Sequence, residues 1–555
     1  MDRNLDTASP GPSKGGYSWQ FWVIFLALAI TSLLVSVEST VVSTALPSIS
    51  GYLDAGENYV WFVNAYFLTS TACLPLFGQL ADMFGRRGLT LCIVAIFGVG
   101  SGICGGASST AMLIGGRAVQ GIGGGGVNLM VQMIVCDLVP LRDRGRFMGV
   151  ILAVFAVGTS IGPFLGGAIV EHTTWRWVFY INLPISGVAL ALLGAFLRVS
   201  HQRGPSALQR LRRIDYVGNL ILVSSVTAVL IALSYGGAVY PWSAWQVLLP
   251  LILGFVGMGG FHLLEMSPWC SEPMTPKRLF SNRTSAAAFY LTFIQALFAF
   301  WVIYFMPVYF QAVLLKGPTR SGILLLPTVV TVVPGGVISG IVLSKFGRYR
   351  RLHLVGFAMM TFGMGLFIML DQHSHLALPV VFQIIAGLGT GFAMTSLLPA
   401  AQAALSEKDT ASSTAVWSFI RSFGTVWGVA VPAAIFNNRA DALAHKITDP
   451  AVRALMVNGQ AYSHATSRLL RNLSANTRDQ VVGVFNESLR IVWIVAVVIT
   501  AVSFFIVFAE KEIKLRDNLE TEYGLQGPEE FAGAKNVDPP ETKDEPMTVQ
   551  ESITV

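Results

Sequence analysis

Gly78-Gln-Leu-Ala-Asp82-Met-Phe-Gly85-Arg86-Arg87 and Gly340-Ile-Val-Leu-Ser344-Lys-Phe-Gly347-Arg348-Tyr-Arg350 are two versions of one motif. Each runs from a glycine to Phe-Gly-Arg at the same spacing, and each closes a long apolar stretch. A bilayer-crossing helix needs about 20 mostly apolar residues. Fourteen stretches of the chain meet that length, at 21–46, 59–80, 89–107, 111–137, 147–170, 177–197, 215–236, 244–265, 285–311, 321–344, 352–370, 377–398, 411–436 and 489–509. The first motif follows stretch 2 and the second follows stretch 10. Two six-helix halves, with an extra helix pair between them, give that placement. Internal repeats of this kind mark transporters whose substrate site lies at the midplane between the halves.

Composition agrees. Of 555 residues, 53% are apolar and 12% charged, against about 25% charged in soluble chains. Mean hydropathy is +0.61. This excludes an ordinary cytosolic enzyme, and also a disordered scaffold, which needs few apolar residues. The segment from Glu510 to Val555 holds 12 acids and 5 bases, so the body carries the positive excess. No basic block is interleaved with aromatics on a soluble stretch, which argues against nucleic acid as a partner. The five cysteines form no CxxC pair and the histidines have no metal spacing, so neither a disulfide framework nor a metal site is implied.

With both termini cytoplasmic, the short inner loops hold 18 Lys and Arg residues and the short outer loops 3. That asymmetry fits the positive-inside rule. The expected organisation is an all-α polytopic membrane protein in five parts. These are a cytoplasmic tail 1–20, a six-helix bundle 21–198, and a linker 199–284 carrying helices 7 and 8. A second bundle 285–509 with a long outer loop 437–488 follows, and then an acidic cytoplasmic tail 510–555. The outer loop contains sequons at Asn472 and Asn486, the latter close to the membrane.

Three runs carry chemistry. In stretch 2 and its loop, Gly78 and Gly85 permit close approach and a tight turn. Asp82 can accept hydrogen bonds, and Arg86 and Arg87 hold the inner face. Ser344 replaces the acid in the second copy, which predicts a weaker latch. In stretch 5, Gly158, Gly162, Pro163, Gly166 and Gly167 set glycines four apart on one face, with a proline that frees a backbone carbonyl. In stretch 4, Arg117 precedes Gln120 and the glycine run 123–126. An arginine inside a membrane helix costs about 2.5–3.5 kcal/mol on insertion scales and faces a partner or a cavity. Its natural partner is Glu38 in stretch 1. Low dielectric favours the neutral carboxyl and an adjacent arginine favours the ionised one. Glu38 can therefore alternate as Arg117 approaches and recedes. The alternative is a permanent ion pair that only orients helices.

These motifs resemble those of the major facilitator superfamily, and within it the fourteen-span drug:proton antiporters. The resemblance covers residues 33–525. It implies two rocking bundles, a conformational latch at Gly78 to Arg87 and at Gly347 and Arg348, an antiporter motif at Gly158 to Gly167, and proton coupling at Glu38 and Arg117. The family pattern more often has Asp where Glu38 stands. The runs Val135 to Gly145, Gly347 to His353 and Glu510 to Leu525 are similar to a fungal branch that exports secondary metabolites or toxins.

Implied partners are a small organic substrate, protons and the lipid bilayer. No Walker A pattern occurs, so the proton gradient replaces ATP and no cofactor is expected. Gln120, Asn128, Gln295, Trp301, Tyr304 and Arg421 are the candidate substrate contacts, although apolar positions of stretch 9 at helical spacing are more often core or lipid-facing. The plasma membrane is expected, with the vacuolar membrane as the alternative. Two other functions stay open: a nutrient or ion symporter on the same fold, and a membrane receptor. Oligomeric state is not readable.

Overall fold

The computed structural model describes residues 17–53, 61–197, 215–236, 240–265, 267, 275–406, 409–457, 459–465 and 467–516. The expected tail 1–20 up to residue 16, the basic stretch 198–214 that opens the expected linker and the acidic tail from residue 517 lie outside them. So do the side chains of Asp82, Pro163 and Gly167.

The described chain is helical. The first half contains α1 (Trp19–Tyr52), α2 (Trp61–Ala72), α3 (Leu74–Phe84), α4 (Arg86–Gly105), α5 (Thr110–Leu138), α6 (Leu141–His172), α7 (Trp177–Tyr180) and α8 (Asn182–Phe196). The inserted pair is α9 (Tyr216–Tyr235) and α10 (Trp245–Glu265). A short α11 (Arg278–Ser281) leads into the second half: α12 (Arg283–Val308), α13 (Pro318–Phe346), α14 (Tyr349–Phe367), α15 (Ala377–Gln402) and α16 (Thr410–Leu443). Short helices α17 (Pro450–Ala454), α18 (Ala461–His464) and α19 (Ser467–Arg471) precede α20 (Ala475–Ile506).

Eleven helices among the described residues are long and apolar enough to cross a membrane. The other three expected stretches are helical as well. One is split between α2 and α3 at Cys73, ahead of Pro75; the others are α6 and α14.

The repeat is visible in the packing. In the first half α1 packs on α6 and α8, α5 packs on α2 and α4, and α4 packs on α8. In the second half α12 packs on α16 and α20, α15 packs on α13 and α14, and α14 packs on α20. The same neighbour pattern recurs with every member replaced by its counterpart. The two most extensive cross-half contacts are counterparts too: α6 lies on α13, and α16 lies on α3. Helices α9 and α10 pack on each other, and α9 also touches α2 and α16, outside that second seam.

The expected outer loop 437–488 is shorter than its sequence limits. Helix α16 continues to Leu443 because Asn437, Ala440 and Leu443 are buried on one face. Helix α20 begins at Ala475 because Val481, Val482, Phe485 and Ser488 continue its buried stripe. Asn486 is thereby half-buried inside a helix, and Ser488 is wholly buried with its hydroxyl donated to Val484 O at 2.7 Å. Asn472 is exposed, while Ser474 of its sequon caps α20.

Candidate functional site

Glu38 lies in α1 and Arg117 in α5, both at most 1% exposed. Arg117 Nη1 donates to Glu38 Oε1 and to Gln120 Oε1 at 2.7 Å. Arg117 Nε donates to Phe62 O at 2.7 Å. Asn182 Nδ2, from α8, donates to Glu38 Oε2. Gln120 Nε2 donates to Ser101 Oγ at 2.8 Å, and Ser101 in turn to Phe97 O at 2.9 Å. The Arg117 guanidinium also stacks 4.5 Å from the centre of the Tyr66 ring. Five helices thus contribute to one polar knot. Buried polar groups are tolerated when each has a partner, and here both carboxylate oxygens and the guanidinium have one. Asn182 and Ser101 are additions that sequence spacing did not flag. An apolar cluster of Val41, Val42, Ala45, Phe62, Trp175 and Phe179 lies beside the knot.

The repeated motif sits where the halves meet. Gly78 and Gly340 occupy corresponding positions, and both are cross-half contacts. A Cβ on Gly78 would lie 2.3 Å from Ala415 Cβ of α16. One on Gly340 would lie 2.4 Å from Gly145 O of α6. Gly85 and Gly347 make the turns, with φ of +80° and +66°. Arg86 is buried and pairs with Asp137 Oδ2 at 2.8 Å. Arg87 donates to Gly194 O at 2.6 Å, and Arg348 is exposed.

Asp137 turns inward to Arg86, and Arg142 crosses the seam. Arg142 donates to Ser344 O and, at 2.8 Å, to Lys345 O. Ser344 Oγ bonds Asp143. Arg144, counted as a loop base, is buried and donates to Gln402 Oε1 of α15 at 2.7 Å. These cross-half bonds are absent from the motif reading, because each joins residues 200 or more positions apart.

All these contacts lie at one end of the bundle, the motif end. Along α13 the stripe that meets α6 continues from Gly340 and Gly336 to Leu326 and Gly322. A Cβ on Gly336 would meet Leu152 Cδ2 at 2.9 Å, whereas Leu326 is 46% exposed and Gly322 has open space beside it. On the α6–α13 seam the two halves touch at the motif end and no longer touch beside Gly322.

In α6, Gly158 and Gly162 face α1. A Cβ on them would lie 1.9 Å from Ser36 Oγ and 2.0 Å from Thr40 Oγ1. Gly166, on the same face, is buried. Among the candidate substrate contacts, Gln120 belongs to the polar knot. Asn128 is half-buried in α5 and Gln295 is buried in α12. Tyr304 is 41% exposed and stacks on Phe300.

Trp301 is not on a cavity wall. It is fully buried against Phe298 in the core of the second half. Positions 294, 298, 301 and 305 form the stripe of α12 that helical periodicity turns into that core. Arg421 of α16 is half-buried, and its contacts are Met394 Sδ at 3.8 Å and the Trp417 ring at 5.4 Å. A crevice of about 680 Å³ lies between α10 and the other face of α16, lined by Leu222, Phe261, Val416 and Phe419.

Two pseudo-symmetric helix bundles closed at the repeated motif are the architecture that sequence comparison then names. Residues 28–429 match the model of the Major Facilitator Superfamily. The chain belongs to that superfamily. Members are transporters rather than enzymes. The chain is 45% identical over 533 residues to the efflux pump FUS6 of Gibberella moniliformis, covering 96% of this chain and 94% of that protein. It is 45% identical over 527 residues to the efflux pump LUC4 of a Fusarium species, covering 95% and 93%. It is equally close to the efflux transporter aclA of Aspergillus oryzae, covering 95% and 96%. Among solved structures, a proton:xylose symporter superposes with a TM-score of 0.55 at 14% identity, covering 90% of this chain and 98% of that one. The human organic anion transporter MFSD10 superposes at 0.53 and 14%, covering 88% and 100%. These two likenesses concern the fold alone.

Proposed function

We propose that this superfamily member exports a small organic compound in exchange for protons, by alternating access of two six-helix bundles in a fourteen-span arrangement. The relatives named as efflux pumps support the direction of transport. The Glu38–Arg117 knot supports the proton coupling, and it is the observation that carries the reading. It holds an acid and a base in full contact inside the first bundle, with amide donors from α8 and α5 ready to reorganise.

In this reading the motif end faces the cytoplasm and both termini lie there, in the plasma membrane. The conformation, closed at the motif end, is the one that releases substrate outside. A proton entering from outside neutralises Glu38 and loosens its grip on Arg117. The α1–α5 contact relaxes and the bundles rock toward the cytoplasm. Substrate binding there restores the ion pair as the proton leaves.

The test is metabolite partition between cells and medium in the natural host, with the gene deleted, restored, and restored as Glu38→Gln. One compound class should accumulate inside deleted cells, and only the unaltered gene should return it to the medium. Full export by Glu38→Gln would remove Glu38 from the coupling. No shift in any compound would remove endogenous export.

A further inference from the structure

From Arg283 to Phe436 the only acids are Asp371, Glu407 and Asp409, all outside the expected membrane stretches. Asp409 is engaged by Arg278 at 2.6 Å. In the first half, Glu38 and Asp137 are taken by Arg117 and Arg86. Arg421 stands in a membrane helix, and among the described residues no carboxylate is paired with it. Its neighbours are a thioether and an aromatic face. One turn away, the indole N–H of buried Trp417 has no acceptor either. An arginine so placed faces a partner or a cavity, and no anionic partner is present among the described residues.

Its position tells which. On α16 the last cross-half hydrogen bond is Ser418 Oγ with Gln132 Oε1 of α5, at 2.7 Å. Arg421 is the first charge beyond that bond, toward the open far end. Asn128 is its counterpart on α5, one turn beyond Gln132 on the same helix face. Arg421 lies one heptad before Gly428, close to the face of α16 that meets α12, with Met394 of α15 as its neighbour. It thus sits just beyond the last hydrogen bond between α16 and α5.

We infer that Arg421, with Asn128 opposite, is the recognition point for an anionic group, and that the exported compound is an organic carboxylate or another singly charged organic anion. This rests on the export reading and narrows it to a substrate class. A guanidinium engages a carboxylate through two parallel N–H bonds, which an ammonium does not reproduce. An anionic cargo also makes transport more electrogenic: an outgoing anion and an incoming proton both move charge down an inside-negative potential. Each added charge changes the attainable gradient by roughly 40-fold per 100 mV.

Binding separates this from transport. Purified full-length protein is titrated with 1-naphthoate and with its neutral isostere 1-naphthamide, read by quenching of tryptophan fluorescence. Sodium chloride is replaced by sodium sulfate of equal ionic strength in a parallel series. Expected is at least tenfold tighter binding of 1-naphthoate, a weaker preference in Arg421→Lys, and none in Arg421→Gln. Thermal unfolding of each variant verifies its fold. Equal binding of the two probes by the unaltered protein, binding of neither, a preference that survives Arg421→Gln, or a site saturated by chloride alone would each overturn the inference. A preference for 1-naphthoate with no export in cells would instead keep Arg421 as the anion-recognition point and overturn the export reading. Glu38→Gln should keep the 1-naphthoate preference while losing proton-driven flux, which isolates the two sites.

Discussion

Gly145 and Gly340 bring the two halves into backbone contact. A methyl group on Gly340 would sit 2.4 Å from the Gly145 carbonyl oxygen and 2.9 Å from the Arg146 nitrogen. No rotamer change relieves a clash with backbone. Gly340→Ala should therefore hold the motif end apart, lower export at least tenfold, and raise thiol labelling of a Val337→Cys reporter from the motif side. Unchanged labelling would show that the seam accommodates the methyl group elsewhere.

Arg117 uses Nε for Phe62 O and Nη1 for Glu38 and Gln120. A lysine ammonium is a point charge and spans these acceptors poorly. Arg117→Lys should lose more than 90% of proton-driven flux despite keeping its charge. Glu38→Asp shortens reach by one methylene and should retain partial flux with altered pH dependence. Flux measured against imposed pH gradients in vesicles distinguishes the two.

Asp137 and Arg86 are both buried, at 3% and 2% exposure. Removing one partner of a buried pair typically costs about 3–5 kcal/mol, because the other charge is left uncompensated. Asp137→Asn should lower the detergent melting temperature by several degrees. The double variant with Arg86→Met should recover part of that loss.

A Cβ on Gly125 would lie 2.2 Å from Ser70 O of α2, whereas one on Gly115, in the same helix, would meet nothing within 4 Å. Gly125→Ala should separate α2 from α5 and abolish folded expression. Gly115→Ala should express normally and gain about 0.5–1 kcal/mol from the helix preference of alanine. Size-exclusion profiles of the two proteins read the difference.

His353 Nδ1 meets Glu510 Oε2 at 2.8 Å, both fully buried. The segment that follows runs across the motif end: Lys511 N donates to Thr284 Oγ1 at 3.1 Å, and Leu515 is buried against α14 and α15 residues. Arg142 N reaches Arg516 O at 3.3 Å, so the segment touches both halves. Glu510→Ala should reduce thermal stability, and truncation after Ala509 should reduce it further. Equal stability of all three proteins would make the segment a passive tail.

The helix positions and the repeat were legible because bilayer thickness and loop charge leave strong one-dimensional marks. So was the pairing of Glu38 with Arg117, since a charge inside a membrane helix demands a partner and the first bundle offers few. Asn182 and Ser101 escaped notice because one asparagine and one serine among many small polar residues carry no mark of their own. Trp301 was misplaced for another reason. In water an apolar stripe points to the core, but in lipid the outer face is apolar too, so sequence does not tell core from surface.

Sequence alone determined that this chain is a membrane-embedded, internally repeated transporter with one acid and one arginine set deep in its first half. Only the tertiary structure decided which surfaces meet. It put Gly78 against α16 and Gly340 against α6, turned Asp137 to Arg86, sent Arg142 and Arg144 across the seam, and left Arg421 without an acid among the described residues. Helical periodicity fixes which residues share a face. The packing of one whole bundle against the other fixes what each face touches, and that depends on contacts hundreds of residues apart.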